Sequence, residues 1–438
     1  MINCIYKILF LAFSCHLIGQ SDIRRIGRLA DVTWEEYFAL GSNQGKYASG
    51  QNYPDLSVVG ALVSNSGEIG TATLIAPNII LTAAHVVQNI VLNIENDTPK
   101  AGNWKFYMGE NLQHASSSTS WYSEEVYTIK QFFVHEGWTD RQILKINDGE
   151  GDGDFLGVDI AIAVLDQDVV GYFPARLPNQ NDDPNKKRTV LSGYGTLVHG
   201  SNADLDPTNK KRTGAENFID RSVEKVSEVG VDDLSLGGLL GIDFDSPLEV
   251  NNTLGDGISI DKLGVGDSDA SPLPLEASTA KGDSGGPAFV YTNNAWRIHG
   301  VVSYGTSDST YGDVTIYTRV ASHHDWIHSK LPNWHNCKIL GEGNWRESPW
   351  LGPLFPYESK WNFFTKLGWM YVDQAVGEAL WGWSYLMQDW IWFSSEVFPY
   401  VYCYSLDDWM YLSENNSNAL SISGYDFSLK KWKTFTGK

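Results

Sequence analysis

From Leu56 onward the chain has the texture of β-strands. Val58-Val59-Gly60-Ala61-Leu62-Val63 and Ala72-Thr73-Leu74-Ile75-Ala76 are short apolar runs, separated by a polar Ser-Asn-Ser-Gly turn, and Ile79-Ile80-Leu81 follows. Runs this short, bounded by turn residues, predict hairpins of a β-barrel rather than helices. Similar runs recur at 104–108, 126–134, 160–165, 190–196, 288–291, 298–302 and 316–320. Helical spacing shows at only two places. Trp34, Tyr37, Phe38 and Leu40 give a short helical face inside an N-terminal arm, and Ser322 to Leu331, with Trp326-Ile327, predicts a short closing helix. The stretch from 199 to 275 is acidic and glycine-rich, which predicts surface loops around a few strands.

Beyond Leu331 the pattern changes. Residues 333–344, with Gly341 and Gly343, predict a linker. Eleven of the 17 tryptophans lie between Trp334 and Trp432. Trp381, Trp383, Tyr385 and Met387 alternate, which places them on one face of a strand. Similar segments recur through 345–412, so this interval reads as a small aromatic-rich β-module made of a degenerate repeat, with 413–438 as a tail. Gln388, Asp389 and Glu396 interrupt the apolar run, so no membrane helix is expected. The aromatic side chains have two readings. Large rings are the natural core of a small β-module, which accounts for most of them, and aromatic faces also stack on sugars or peptides, so a surface or a polymer is a candidate partner.

A length of 438 residues allows two or three domains. The net charge of −21 speaks against nucleic acid or an anionic membrane as the main partner. Lys7 followed by the apolar run Ile8 to Phe13 reads as a secretory segment over 1–20, cleaved near Gly19 to Ser21, with lipid attachment at Cys15 as the alternative. Of the four cysteines, Cys4 and Cys15 fall in that segment. Cys337 and Cys403 would remain, to pair or to stay reduced.

The chemistry-bearing stretch is Lys281-Gly282-Asp283-Ser284-Gly285-Gly286-Pro287. Glycines reach backbone angles that other residues avoid and let a substrate approach the main chain. A tight turn here aims the N–H groups of Gly282 and Ser284 at one spot, where an oxyanion could form. A serine needs a base to become a nucleophile, and the base needs an orienting acid. Thr82-Ala83-Ala84-His85 and Asp159-Ile160-Ala161-Ile162-Ala163-Val164-Leu165 lie upstream. In that order the three motifs resemble a trypsin-like serine protease of the chymotrypsin fold, over about residues 51–332.

The resemblance implies an all-β fold of two six-stranded antiparallel β-barrels, with 166–190 crossing between them and Val190 to Thr196 opening the second. It implies a secreted endopeptidase acting on protein or peptide substrates through His85, Asp159 and Ser284, with Gly282 and Ser284 as the oxyanion hole. Ser303-Tyr304-Gly305 takes the place of the edge that pairs with an extended substrate. Ser278 stands where trypsin carries its pocket aspartate, and Thr315 stands where chymotrypsin has glycine. A neutral, shortened pocket follows, suited to Ala, Val or Leu before the cut, with Asp308 as a nearby acid able to recruit basic side chains. Val86 replaces the cysteine usual after the histidine of animal trypsins, which points to a bacterial-type member. Arg24-Arg25-Ile26-Gly27 matches only the start of the family's activation site. A surface arm over 21–50 is the alternative there, and Asp283 would then need a partner other than a new amine. No cofactor is implied. The acidic loop with Asp148, Glu150, Asp152 and Asp154 is either a calcium site or a solvated loop. Gly282-x-Ser284-x-Gly286 also fits an esterase nucleophile elbow, but both partner motifs precede the serine, the reverse of that order. A catalytically inactive binding protein on the same scaffold is the remaining alternative.

Overall fold

The computed structural model describes residues 25–29, 32–42, 44–46, 52–88, 100–114, 121–123, 125–140, 154–200, 202–206, 210–227, 236–255, 257–305, 309–341, 343–357, 359–376 and 379–437. The segment read as secretory, Asp148, Glu150 and Asp152 of the acidic loop, and Asp308 lie outside the described residues.

The first sheet is a closed six-stranded barrel. Its strands follow the order Glu125–Val134, Ala161–Leu165, Ile79–Thr82, Ile69–Ala76, Val59–Ser64, Trp104–Met108, every neighbour antiparallel. Ile69–Ala76 and Ile79–Thr82 are buried along almost their whole length, which is why their sequence is continuously apolar rather than alternating.

The second sheet departs from the expectation of a second closed six-stranded barrel. It is an open sheet of seven strands: Thr213–Phe218, Arg188–Gly193, Pro287–Thr292, Ala295–Gly305, Val314–Arg319, Leu239–Asp243, Arg221–Val223. Its two edge strands, Thr213–Phe218 and Arg221–Val223, are consecutive in the chain. A break at Ile219-Asp220 separates them, so the chain passes from one edge of the sheet to the other. The break is anchored on both sides, by Ile219 N–H to Lys187 O at 3.0 Å and Asp220 N–H to Gly241 O at 2.9 Å. The ladder therefore stops at a seam where Asp220 and Asp243 meet, and Asp220 Oδ2 accepts the Asp243 N–H at 3.3 Å. One hydrophobic core, from Tyr37 to Ile327, runs through both sheets.

Trp34–Gly41 forms the expected helix and buries Tyr37 and Leu40. The preceding stretch is not a loose arm. Arg25–Arg28 is a strand in a small sheet, parallel to Thr196–His199 and antiparallel to Ala277–Ser278. The closing helix is a 3-10 turn, Val320–His323, continued by the α-helix His324–His328.

The C-terminal region is one antiparallel sheet of eleven strands paired in chain order, from Lys338–Ile339 to Lys431–Phe435. The sheet begins inside the stretch read as a linker and runs through the stretch read as a tail. Trp334 and Cys337 are buried in its core, and Ile339 bridges to Val170 of the first domain. Glycines at 341 and 343, which suggested a linker, occupy positive-φ positions between the first two strands. The final hairpin, Ile422–Asp426 with Lys431–Phe435, escapes a search for aromatic runs because its aromatic residues, Tyr425, Trp432 and Phe435, stand singly among polar ones.

The module's core is mainly aliphatic. Leu354, Met370, Leu380, Ile391, Val401 and Met410 are buried, whereas most tryptophans and tyrosines face outward. This corrects the reading of the aromatic residues as the core. A strand puts alternate residues on opposite faces, and here Leu380, Gly382 and Ser384 take the inner positions while Trp381 and Trp383 stay half-exposed. Met387 does not share their face. The strand Ala379–Ser384 ends before it, and its side chain turns into the core. Cys337 and Cys403 are both buried free thiols, so the disulfide alternative does not hold. Burial pushes each thiol up to about 12.

Candidate active site

The strand Ile79–Thr82 leaves the first barrel and turns straight into the short helix Ala84–Val87, which carries His85 in its first turn. Asp159 lies just before the strand Ala161–Leu165, which pairs with Ile79–Thr82, so the sheet register brings it beside His85. Its carboxylate is fully buried and takes three hydrogen bonds. Oδ1 accepts the His85 backbone N–H at 2.9 Å, and Oδ2 accepts His85 Nδ1–H at 2.7 Å and the Ser303 hydroxyl at 2.5 Å. Thr318 Oγ1 donates to the Asp159 carbonyl at 2.9 Å. Burial alone would raise the Asp159 pKa. The charge of His85, with the hydrogen bonds from His85 and Ser303, outweighs it, and the carboxyl sits below its ordinary value. With the proton fixed on Nδ1, Nε2 becomes the basic nitrogen of the neutral ring.

Ser284 sits in a turn packed on the same end of the barrel. Thr71 N–H donates to the Ser284 carbonyl at 2.8 Å, and Thr71 Oγ1 donates to the Gly282 carbonyl at 2.8 Å. Gly286 N–H donates to the Asp283 carbonyl at 2.7 Å, and Gly285 N–H to the Val302 carbonyl at 2.9 Å. Two glycines here are required by geometry. Gly282 has φ +104° and Gly285 has φ +83°, both in the region that favours glycine. A Cβ on Gly285 would lie 2.1 Å from Thr82 Oγ1 and 2.3 Å from the Thr71 carbonyl. The Ser284 turn is thus seated directly on the residues that lead to His85.

Asp283 is held by two backbone amides from loops beside the second sheet. Gly195 N–H donates to its Oδ1 at 2.7 Å and Ala280 N–H to its Oδ2 at 2.9 Å. These are partners that the sequence does not reveal. Gly193 and Gly195 make room for them, since a Cβ on either would lie 2.1 Å from the Asp283 carboxylate.

The residues proposed for the specificity pocket also come together. Ser278 and Thr315 are both buried, with their hydroxyls 3.3 Å apart. Thr315 Oγ1 also lies 2.9 Å from Thr279 Oγ1, and Ser309 Oγ donates to the Thr279 carbonyl at 2.7 Å. Gly305 pairs with Thr315 at the open end of the strand Ala295–Gly305, next to the half-buried Tyr304. Ser303, read from the sequence as part of the substrate edge, turns its hydroxyl to Asp159. Sequence reasoning missed Thr71 and Thr82, because buried threonines on a strand look like packing. Among the described residues, no group of three His, Cys, Asp or Glu side chains is arranged to hold a metal ion.

Comparison with known proteins bears on the family. The family model described as Trypsin matches residues 47–223 and 269–327, more than half of the chain. The unmatched interval between them falls on the long acidic stretch. Spermosin from Halocynthia roretzi is 38% identical over 62 residues, which is 14% of this chain and 16% of that protein. Phenoloxidase-activating factor 3 from Holotrichia diomphalia is 52% identical over 52 residues, 11% of this chain and 15% of that protein. This chain therefore covers only a small part of each relative's length. The family match is broader: it takes in the whole closed barrel and every strand of the second sheet but Leu239–Asp243. This chain belongs to the trypsin family.

Proposed function

We propose that this chain is a secreted serine endopeptidase with His85, Asp159 and Ser284 as its catalytic residues. The observation that carries the reading is the buried Asp159 carboxylate holding His85 by both its backbone and its ring, next to the turn that bears Ser284. Ser284 Oγ attacks a peptide carbonyl while His85 Nε2 takes its proton. The developing oxyanion is received by the N–H groups of Gly282 and Ser284, each donor of this kind being worth about 3 kcal/mol. His85 then gives its proton to the leaving amine, and Asp159 stabilises the transient imidazolium. Water, activated by the same imidazole, hydrolyses the acyl-enzyme.

The pocket floor favours small to medium apolar side chains. Ser278 supplies no charge for Lys or Arg, and the linked hydroxyls of Thr315, Thr279 and Ser278 occupy depth that a long side chain would need. A cut after Arg25 is the minor alternative, since Arg25–Arg28 is already a paired strand in the uncut chain and Asp283 already accepts the Gly195 and Ala280 N–H groups. The aromatic module serves to hold the enzyme on a surface or a polymer.

Cleavage of a peptide library varied at the residue before the cut tests this reading. Wild type should cut after Ala, Val or Leu, and Ser284→Ala should not cut at all. Cleavage after Lys or Arg would keep the triad and discard the pocket argument. Activity seen only after processing at Arg25 would establish the activation step. A wild type inactive in both forms would leave the inactive binding-protein alternative.

A further inference from the structure

The outer face of the C-terminal sheet is built as a recognition surface. Its aliphatic core does not need those rings, and a contiguous set of half-exposed aromatic rings is a mark of a binding surface. The rings form contiguous sets across neighbouring strands. Tyr371 lies 6.3 Å from Trp390, which stacks on Trp381 at 5.8 Å and 12° between planes. Trp392 meets Trp409 at 5.9 Å, and Tyr411 meets Trp432 at 6.2 Å. Trp432, Tyr404 and Trp409 remain exposed.

Charge narrows the class of partner. The outward positions paired in register between Trp361 and Thr434 carry no charged side chain, in a chain whose net charge is −21; the charges beside them are the exposed Lys360–Asp373 pair at the bulge, Asp407 on the Tyr402 hydroxyl, and Lys431 on the edge strand. A polyanion would be repelled by the rest of the molecule and would find among the rings only Lys360, already paired with Asp373. Anionic lipid surfaces are recruited by clusters of Lys and Arg, whereas here lysines lie only at the margins, Lys360 and Lys433 each already paired with an aspartate. A cationic partner would be drawn to the acidic remainder instead. What fits is an uncharged partner with apolar faces to lie on the rings and hydroxyls for the phenol and indole edges. Pyranose sugars have that chemistry.

The face also continues beyond the module. Its outward residues Trp392 and Ala379 line a cleft of about 320 Å³ whose opposite wall is Arg176, Asn179 and His328 of the first domain. We propose that the aromatic face binds a neutral polysaccharide, laid across the strands and leading to this cleft. This rests on the reading of the module as a polymer binder and is independent of the triad.

The test uses the full chain carrying Ser284→Ala, mixed with insoluble β-1,4-glucan, β-1,3-glucan and α-1,4-glucan. Retention on at least one is expected, persisting in about 1 M NaCl because screening does not weaken stacking, and reversed by the soluble oligosaccharide of the same linkage. Trp381→Ala with Trp409→Ala should weaken retention about tenfold or more while the thermal unfolding midpoint stays put. Tyr404→Ala, the more exposed and gentler change, should weaken it less. No retention on any of the three glucans, or retention untouched by these substitutions, overturns the proposal. So does binding to phosphatidylserine vesicles, or self-association, that the same variants abolish, since either assigns the face to another occupant. Proteolysis is not read in this assay, so its failure and a failure of the protease reading are separate results.

Discussion

Thr71 is the residue whose contribution is hardest to see from the sequence and easiest to test. It holds the carbonyls of both Gly282 and Ser284, and its own carbonyl accepts the Thr82 hydroxyl at 2.8 Å. Thr71→Val keeps the shape and leaves the Gly282 carbonyl without that donor. If the Ser284 turn forms the oxyanion site proposed above, it should loosen, lowering kcat about tenfold with KM nearly unchanged, and Thr71→Ser should restore the rate; steady-state kinetics on a peptide substrate decide it. At the pocket floor, Thr315→Gly removes the hydroxyl that joins Ser278 and Thr279. The library profile should then move from Ala and Val toward Leu and Phe. A profile that does not move would separate Thr315 from specificity. His85, Asp159 and Ser284 were legible in the sequence because each lies in a compact motif. Thr71, Thr82 and the support from Ser303 were not, because their roles depend on which strand ends meet, and a lone hydroxyl on a strand carries no local sign of that.

At the scale of the element, the seam of the open sheet is the unusual feature. Burial pushes Asp220 up to about 9, reinforced by Asp243, and pushes Asp245 up to about 8 and Glu276 up to about 9. These carboxyls hold protons in the folded state that the unfolded chain releases above the ordinary acidic range. Folding therefore binds protons between that range and about pH 9, and stability falls as pH rises through the window. Asp220→Asn removes one such proton, so its unfolding midpoint should fall less than that of wild type between pH 5 and pH 9; thermal melts at the two pH values, about four units apart, test it. A wild type more stable at the higher pH, with no difference from the variant, would mean these groups are ionised in the fold. The sequence conveyed the strands well, since apolar runs mark buried ladders. It did not convey where a ladder stops. A two-residue break at Ile219-Asp220 turns an expected closed barrel into an open sheet, and nothing in the composition of those residues announces it.

For the whole molecule, every hydrogen bond described around Asp159 and the Ser284 turn comes from residues up to Thr318, within the first domain. The module touches that domain through the Val170–Ile339 bridge, Lys338 over the Phe173 ring at 4.5 Å, and Asn179 with Glu396 at 3.4 Å. A chain ending at Leu331 should keep kcat/KM within about twofold of the full chain and lose only a few degrees, roughly, of thermal stability. A large loss of kcat/KM would reveal a coupling between module and site that the contacts do not contain. The change from a trypsin-family body to an aromatic module follows the shift in composition. The placement of the rings outside an aliphatic core was not legible there, because alternation shows that two faces differ without saying which one is dry.

Strand order in the module has a consequence for how such a protein is made and varied. Each of its eleven strands pairs only with its neighbours in sequence, so contacts stay local, and the sheet can assemble hairpin by hairpin as it leaves the ribosome, against a body whose own long-range pairings are already complete. Gain or loss of a single hairpin would lengthen or shorten the outer face by a fixed strip without disturbing the register of the rest. Length, more than the identity of any one ring, is then the variable through which such a module would be tuned over generations.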